Sequence, residues 1–440
     1  SGFIGIRYDS WISGQMNSNI VSGISTNTEY PADACNFYGI YKYENHNGPF
    51  NFRSNIIGNP SASGSIKALS PSTGARQDVY GIYYNGTLTQ FESSRFTFEE
   101  NVVANLTNYS VYEFSRMAGI WVYNWGNLTI HENHIHDLRT YSGNNIDGPG
   151  ASLMGIYSEF RLLDTDITEN TIYNLYNLST QSTRVFGILF RGSASFENDV
   201  ARNFIHGLSV ATAAPSWGGT IAGILHNSGV ATYANNIISL GQSVSSRTAI
   251  FGVYTYSSEA ANRFYFNTIY IGGTAQLNTY TDSYCFYSGA NIGNNNLRTY
   301  INNIFYNERT STSTTQRNAA FYYASMPTAA RVNADWNQYY SLESEVIYVG
   351  SNVYSDVGIA WQGVSGGQDV NSLVENPMFV IPGSTIPSNY LPGNPLLSDF
   401  ITTGILNDYF DGPRGCSNTV GAIETGQIQV IASVGPTEGG

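Results

Sequence analysis

The sequence predicts an all-β chain, a right-handed parallel β-helix of about ten coils with a C-terminal capping extension. Three observations carry this. A short strand motif returns along most of the chain, in steps mostly of about 32–37 residues, a period that signals a solenoid or propeller. Each repeat offers three short strand-like segments and no helical period. The composition suits many short strands joined by polar turns: 45 Gly, 33 Tyr and only 12% charged residues.

The motif is clearest in Glu169-Asn170-Thr171-Ile172-Tyr173-Asn174-Leu175. It recurs as Glu132-Asn133-His134-Ile135-His136-Asp137-Leu138 and as Arg202-Asn203-Phe204-Ile205-His206-Gly207-Leu208. Asn101-Val102-Val103, Asn235-Asn236-Ile237, Asn267-Thr268-Ile269 and Asn302-Asn303-Ile304 extend the series, and Ile20 and Ile56 look like worn earlier copies. A second motif, apolar-Gly-β-branched, keeps step with it at Gly5, Gly39, Gly81, Gly119, Gly155, Gly187, Gly223 and Gly252. Phe286-Tyr287 and Phe321-Tyr322 fall where its next copies are due. A third segment lies between the two, as in Phe96-Thr97-Phe98 and Leu128-Thr129-Ile130. A propeller blade needs four antiparallel strands, whereas a β-helix coil needs three that stack on the next coil, so the β-helix fits. The coils are expected over residues 1–345.

Stacking gives the recurrent asparagine a role. It sits where the chain must bend, and Asn tolerates the left-handed conformation. A structural ladder is expected through Asn101, Asn133, Asn170, Asn203, Asn235, Asn267 and Asn302. The variable stretches that follow, at 60–74, 139–151, 179–184, 210–219, 241–248, 273–283 and 308–317, are Ser/Thr/Gly/Asn-rich loops that leave from one corner.

The formal net charge of −13 argues against nucleic acid and anionic membrane as partners. It also disfavours acidic polysaccharide, unless a local Arg cluster or a bound cation reverses the field. Cys35, Cys285 and Cys416 are widely spaced and contain no CxxC pair, so no zinc ribbon or disulfide framework is indicated. No signal peptide opens the sequence at Ser1, and no apolar run of about 18 residues occurs, so a soluble chain without membrane insertion is expected, a mature form or a piece of something longer.

Glu100, Glu132 and Glu169 precede the Asn in successive coils and would stack roughly 5 Å apart. Like charges at that spacing repel. A bound Ca2+ would relieve this, and Arg202 in the next place would neutralise one end. No cofactor is required, and Ca2+ is the candidate ion. Tyr41, Tyr83, Trp121 and Tyr157 follow the Gly-Ile step, and strand parity sets them on the glycine face. If Ile points inward they form an outward row of rings, a platform for sugar or for a protein partner. Ordinary packing under a loop is the alternative. For catalysis, Arg161 and Arg191 lie near tyrosines as a lyase site would want, but no acidic pair of the glycosidase kind appears.

The coils fade after Asn337-Gln338-Tyr339. Residues 346–425 carry an ordered set: Trp361-Gln362, Gly367-Gln368-Asp369-Val370-Asn371-Ser372, Asn376-Pro377-Met378-Phe379, Gly393-Asn394-Pro395, Asp411-Gly412-Pro413-Arg414 and Gly421-Ala422-Ile423-Glu424. Residues 426–440 read as a linker-like tail. The set resembles the end of the right-handed parallel β-helix repeat proteins secreted by Bacteroidota, with Asn394 for the usual Ser and Ile423 for the usual aromatic. The resemblance implies secretion, surface exposure and a segment blocking the helix end. It implies no reaction, because that family mixes enzymes with non-enzymatic surface domains. The expectation is therefore a non-catalytic cell-surface module for adhesion, spacing or assembly. Its partners would be other surface chains, domains of the same protein, or polysaccharide. The alternative is a polysaccharide lyase or glycoside hydrolase.

Overall fold

The computed structural model describes residues 2–424, apart from 10–12, 29, 31–32, 44–48, 87–94, 125, 161–163, 213–217, 257–260, 276–280, 290–295, 313–315, 327, 399–400 and 416–418. It is a parallel β-helix with three long parallel sheets, each coil giving one strand to each. The second sheet has ten strands, from Gly14–Asn17 to Val332–Asp335. Ten stacked rungs make about nine turns, close to the ten coils expected. The first sheet runs from Gly2–Tyr8 to Ile347–Val349, where Asn352–Tyr354 adds one antiparallel strand, and the third from Ile20–Val21 to Leu373–Val374.

Inward side chains from the three sheets fill one continuous core, with Ile57, Val103, Ile135, Ile172, Ile205, Ile238 and Ile269 as one buried column. Fully burying each such side chain is worth roughly 1.5–3 kcal/mol. Phe305 continues the column after Ile269. Ile237 and Ile304, expected in this column, instead point outward, and so do the worn copies Ile20 and Ile56, whose inward neighbours are Val21 and Ile57. The doubled asparagines explain the slip at Ile237 and Ile304: Asn235-Asn236 and Asn302-Asn303 each admit two alignments one residue apart, and one residue exchanges the two faces of a strand.

The asparagine ladder is shifted in the same two places. Each Nδ2 donates to the next Oδ1 at 2.8–3.0 Å through Asn19, Asn55, Asn101, Asn133, Asn170, Asn203, Asn236, Asn267, Asn303 and Asn337. Asn236 and Asn303 stand where Asn235 and Asn302 were expected. The bend is also one residue earlier. The left-handed residues are Ser18, Ser54, Glu100, Glu132, Glu169, Arg202, Asn235, Phe266, Asn302 and Trp336, each just before a ladder Asn. The ladder Asn is thus selected for its amide and not for backbone freedom.

The glycine column of the first sheet also corrects an expectation. Gly39, Gly81, Gly119 and Gly155 do not share the outward face with the rings. A Cβ on Gly119 would lie 2.4 Å from the inward Ile135 Cγ2 and 2.7 Å from the Gly155 carbonyl oxygen. The strand bends at glycine and the register skips it, so Tyr80 and Tyr83 on either side both face outward. We expect Gly119→Ala to cost about 1–3 kcal/mol by overpacking, read from the denaturant midpoint. The column ends at Cys285 and Ala320, which is why the motif fades there.

The segment after residue 345 does two things. Its first part closes the core. Trp361, on the short helix Ile359–Ser365, is 1% exposed. Its Nε1 donates to Asp369 Oδ2 at 2.9 Å, while Asp369 Oδ1 accepts from Ser372 Oγ at 2.7 Å and Tyr339 Oη at 3.0 Å. Ser372 Oγ in turn accepts the Asn337 N–H at 2.9 Å, ending the ladder. The Trp361…Gln368-Asp369…Ser372 motif is thus a plug for the open end. Residues 376–424 then run back along the outer face of the third sheet. Phe379, Tyr390, Leu397, Val420 and Ile423 cover Phe204, Ile237, Tyr270, Ile304 and Tyr306. Asn235 Nδ2 donates to the Asn407 carbonyl at 2.8 Å and Asn302 Nδ2 to the Ile401 carbonyl at 2.7 Å, so the two asparagines outside the ladder tie this strap down. A buried Arg414–Glu424 pair, 3.2 Å apart, holds its end, with the guanidinium over the Phe266 ring. Residues 426–440 lie outside the described residues.

Candidate functional site

The bend at each glycine gives the first sheet two outward rows, one residue before the glycine and two after it. Loops rise on both sides of this sheet, from the corner after the third sheet and also from the corner leading to the second, such as 192–198. The loops therefore leave from two corners and not one, on either side of the first sheet.

The expected rings fall in the second row. Tyr41 lies 5.4 Å from Tyr83 with 13° between planes, Tyr83 6.4 Å from Trp121, and Trp121 4.0 Å from Tyr157. Tyr41 and Tyr83 are half-buried, but Trp121 is 7% and Tyr157 1% exposed. Arg116 lies 4.6 Å over the indole and donates to the Pro149 carbonyl, and Ala151 joins the same apolar cluster, so a loop covers these two rings. The packing alternative holds for them. The row passes through Leu189 and Leu225 and then regains rings at Tyr254, Tyr287 and Tyr322. Tyr287 and Tyr322 stack at 4.6 Å with 2° between planes. The sequence reading placed both tyrosines in copies of the motif but did not extend the row to them, since Cys285 and Ala320 replace the glycine that marks it.

Here the first sheet floors a groove, a cleft of about 270 Å3 whose lining includes Arg184, Asp282, Tyr284, Tyr287, Arg317 and Tyr322. Asp282 accepts the Arg317 N–H at 3.1 Å and the Tyr284 hydroxyl at 3.2 Å. Burial raises its carboxyl above the usual carboxylate range. Arg317 rests 5.0 Å from the Tyr348 ring and donates to the Gly350 carbonyl at 3.0 Å. Arg184 is held by Asp147 at 2.7 Å and by the Gly218 carbonyl at 3.3 Å. Burial pushes the Tyr287 phenol up to about 12, so it stays neutral. The two rings face each other, so the cleft offers ring edges and hydroxyls beside guanidinium and carboxyl groups, which suits a ligand with both apolar and polar surfaces.

The acidic column lies at the corner between the second and third sheets. Glu100, Glu132, Glu169, Arg202, Tyr409 and Asp411 line one cleft there. Arg53 takes Glu100 at 2.7 Å. Arg202 bonds both Glu169 and Asp411, the latter at 2.7 Å, so each end of the column is neutralised by protein. The donor atoms that converge belong to His131, Glu132 and Glu169, within 4.8 Å of one another. His131 Nδ1 meets Thr168 Oγ1 at 2.9 Å, which leaves Nε2 toward Glu132. Ca2+ prefers six to eight oxygen ligands. These three side chains do not supply that set, and Glu100 is committed elsewhere. The other histidines do not join them: His136 Nδ1 lies 2.8 Å from Asp137 Oδ2.

The arginines weighed for a lyase divide. Arg191 is paired with Glu159 at 2.7 Å, and Glu159 also accepts the Tyr157 hydroxyl, while Arg161 lies outside the described residues. Cys35 and Cys285 are free, with burial raising the Cys285 thiol, and Cys416 lies outside the described residues. No helix among the described residues is long and apolar enough to cross a membrane. No family model, curated protein or solved structure matches the chain.

Proposed function

We propose that this parallel β-helix is a non-catalytic glycan-binding module, secreted and displayed at a bacterial cell surface, of the Bacteroidota class that its C-terminal motif resembles. The observation that carries the binding reading is the stacked Tyr287–Tyr322 pair on the floor of a groove, with Arg184, Asp282 and Arg317 along its edge. The faces of these rings pack on each other and on Tyr254 and Tyr284, so a sugar would lie against their exposed edges while the flanking polar groups fix its hydroxyls or carboxylate. Arg184 is paired with Asp147 and Arg317 lies beside Asp282, so the rim offers directed hydrogen bonds without a net positive charge. A rigid solenoid also serves adhesion and spacing, since its length follows from its coil number.

The test is affinity electrophoresis through gels containing neutral and uronate polysaccharides. At least one polysaccharide is expected to retard the wild type. Tyr287→Ala and Tyr322→Ala should each weaken binding about fivefold, from about 1 kcal/mol of lost ring contact. Retention unchanged in the double variant would remove the groove from the binding reading.

One observation favours a second, enzymatic reading. The carboxyl of Asp282, raised by burial, sits beside Tyr284 and Arg317 in the same cleft, and perturbed carboxyls in clefts mark acid–base sites. An absorbance screen for unsaturated uronate product decides. Turnover that Asp282→Asn abolishes would replace the non-catalytic reading with a lyase.

A further inference from the structure

The strap covers the outer face of the third sheet, and at Gly383 it presses on Gln242, where an added Cβ would lie 1.9 Å from Nε2. A cleft of about 250 Å3 opens there between the sheet and the strap, lined by residues that include Gly383 and Thr385. The wall on the sheet side carries His206, which is 8% exposed. Its ring is fixed by stacking 5.1 Å from Tyr173, with 8° between planes, and by Phe204 at 4.6 Å.

What distinguishes His206 is its unused hydrogen-bonding capacity. His226, also buried, has both nitrogens satisfied, by the Tyr233 hydroxyl at 2.7 Å and Asn262 Nδ2 at 2.9 Å. The nitrogens of His206 have no hydrogen-bond partner among the described residues, and the ring lines the cleft. Solvent reaches these nitrogens through the cleft, so a ligand that enters it can take their hydrogen bonds without breaking any inside the protein. The surroundings say what kind of group. Asn174, Tyr176, Ser239, Gln242 and Thr385 line the same space, and no Asp, Glu, Lys or Arg does. Burial holds the imidazole pKa down to about 4, so at neutral pH it offers one donor and one acceptor. An ionic ligand would bury its charge with no counter-charge, at high cost. A molecule with vicinal hydroxyls matches each of these amides, hydroxyls and ring nitrogens.

We infer that the cleft between the third sheet and the strap is a second binding site, for a neutral polyhydroxylated ligand about the size of one sugar residue. It lies on a different sheet from the ring groove, so it stands or falls apart from the function proposed above. The strap then has a use besides covering the apolar outer face: it forms one wall of the site.

The test uses the whole chain labelled with 15N-histidine. The probes are methyl glucoside and methyl galactoside, with glucuronate and glucosamine as charged counterparts of similar size. The His206 nitrogen resonances should shift saturably with a neutral glycoside and at least tenfold more weakly with the charged sugars. His206→Phe keeps the stacked ring and removes both nitrogens; in a Tyr287→Ala/Tyr322→Ala background, which silences the ring groove, it should abolish the calorimetric binding signal and leave the unfolding temperature unchanged. If that variant does not fold, Thr385→Trp fills the cleft from the strap side and should abolish binding likewise. Resonances unmoved by either neutral glycoside, or binding that survives the variant that folds, would overturn the inference and leave ordered water as the only occupant.

Discussion

Asn170→Ala is expected to destabilise the protein by about 3–5 kcal/mol, a large effect for one amide. Asn170 is fully buried at the middle of the ladder. Its Oδ1 accepts the Asn133 N–H at 3.0 Å and Asn133 Nδ2 at 2.9 Å. Its Nδ2 donates to the carbonyls of Ile130 at 2.9 Å and Thr168 at 3.0 Å, and to Asn203 Oδ1 at 2.9 Å. Alanine leaves two donors of Asn133 and the Ile130 carbonyl without these partners inside the protein. Each stranded group costs about 1–3 kcal/mol, reduced where the structure relaxes or water enters. Asn51→Ala, on the exposed side of the second sheet, is the control and should stay within about 0.5 kcal/mol. Guanidinium unfolding compares them. Because coils are coupled mainly to their neighbours, the Asn170 variant is expected to unfold first around its own coil, giving a broader transition. Equal midpoints for the two variants would mean that the ladder adds no stability.

The second large effect belongs to the plug. Asp369→Ala removes the shared acceptor of Trp361 Nε1, Tyr339 Oη and Ser372 Oγ, with Trp361 and Tyr339 each 1% exposed. We expect a loss of about 3–5 kcal/mol by the same reasoning. The consequence differs from that of a ladder break. Freeing Trp361 uncovers the last core rings, Tyr323 and Tyr339, together with the end strand Gln338–Ser341. Hydrogen exchange should therefore rise first over residues 332–374. Sedimentation should show self-association, since an uncovered strand edge pairs with other chains. Unchanged exchange over that stretch would show that the helix Ile359–Ser365 is held by something other than Asp369.

Much of this architecture was legible because in-register stacking repeats it. Positions such as Ile135, Ile172 and Ile205 are separated by one coil in sequence and adjacent in space, so the period reports the contact directly. The plug was legible as an ordered motif, and its residues prove to be one hydrogen-bonded group around Asp369. The failures have equally local causes. At Asn235-Asn236 and Asn302-Asn303 the text is degenerate, and only packing decides which amide turns inward. At the glycines, parity assumes a straight strand, whereas the strand bends there to bring Tyr80 and Tyr83 onto one face. The course of the strap was not legible, because residues 376–424 have no period and make contacts far away in sequence. A trace of it was present: Phe204, Ile237, Tyr270, Ile304 and Tyr306 are apolar at outward positions, which requires a cover. The ring cleft escaped because Tyr287 and Tyr322 lie beyond the last glycine of the column, and the cleft at His206 because it exists only between sheet and strap.

The binding face is the claim on which the functional account rests. A crystal structure of the protein with an oligosaccharide cut from the polysaccharide that retards it tests that claim most directly. The account predicts a pyranose seated against the exposed edges of Tyr287 and Tyr322, with Arg184 or Arg317 bonded to its polar edge. A sugar bound only on the second or third sheet, with the first-sheet groove empty of it, would contradict the account.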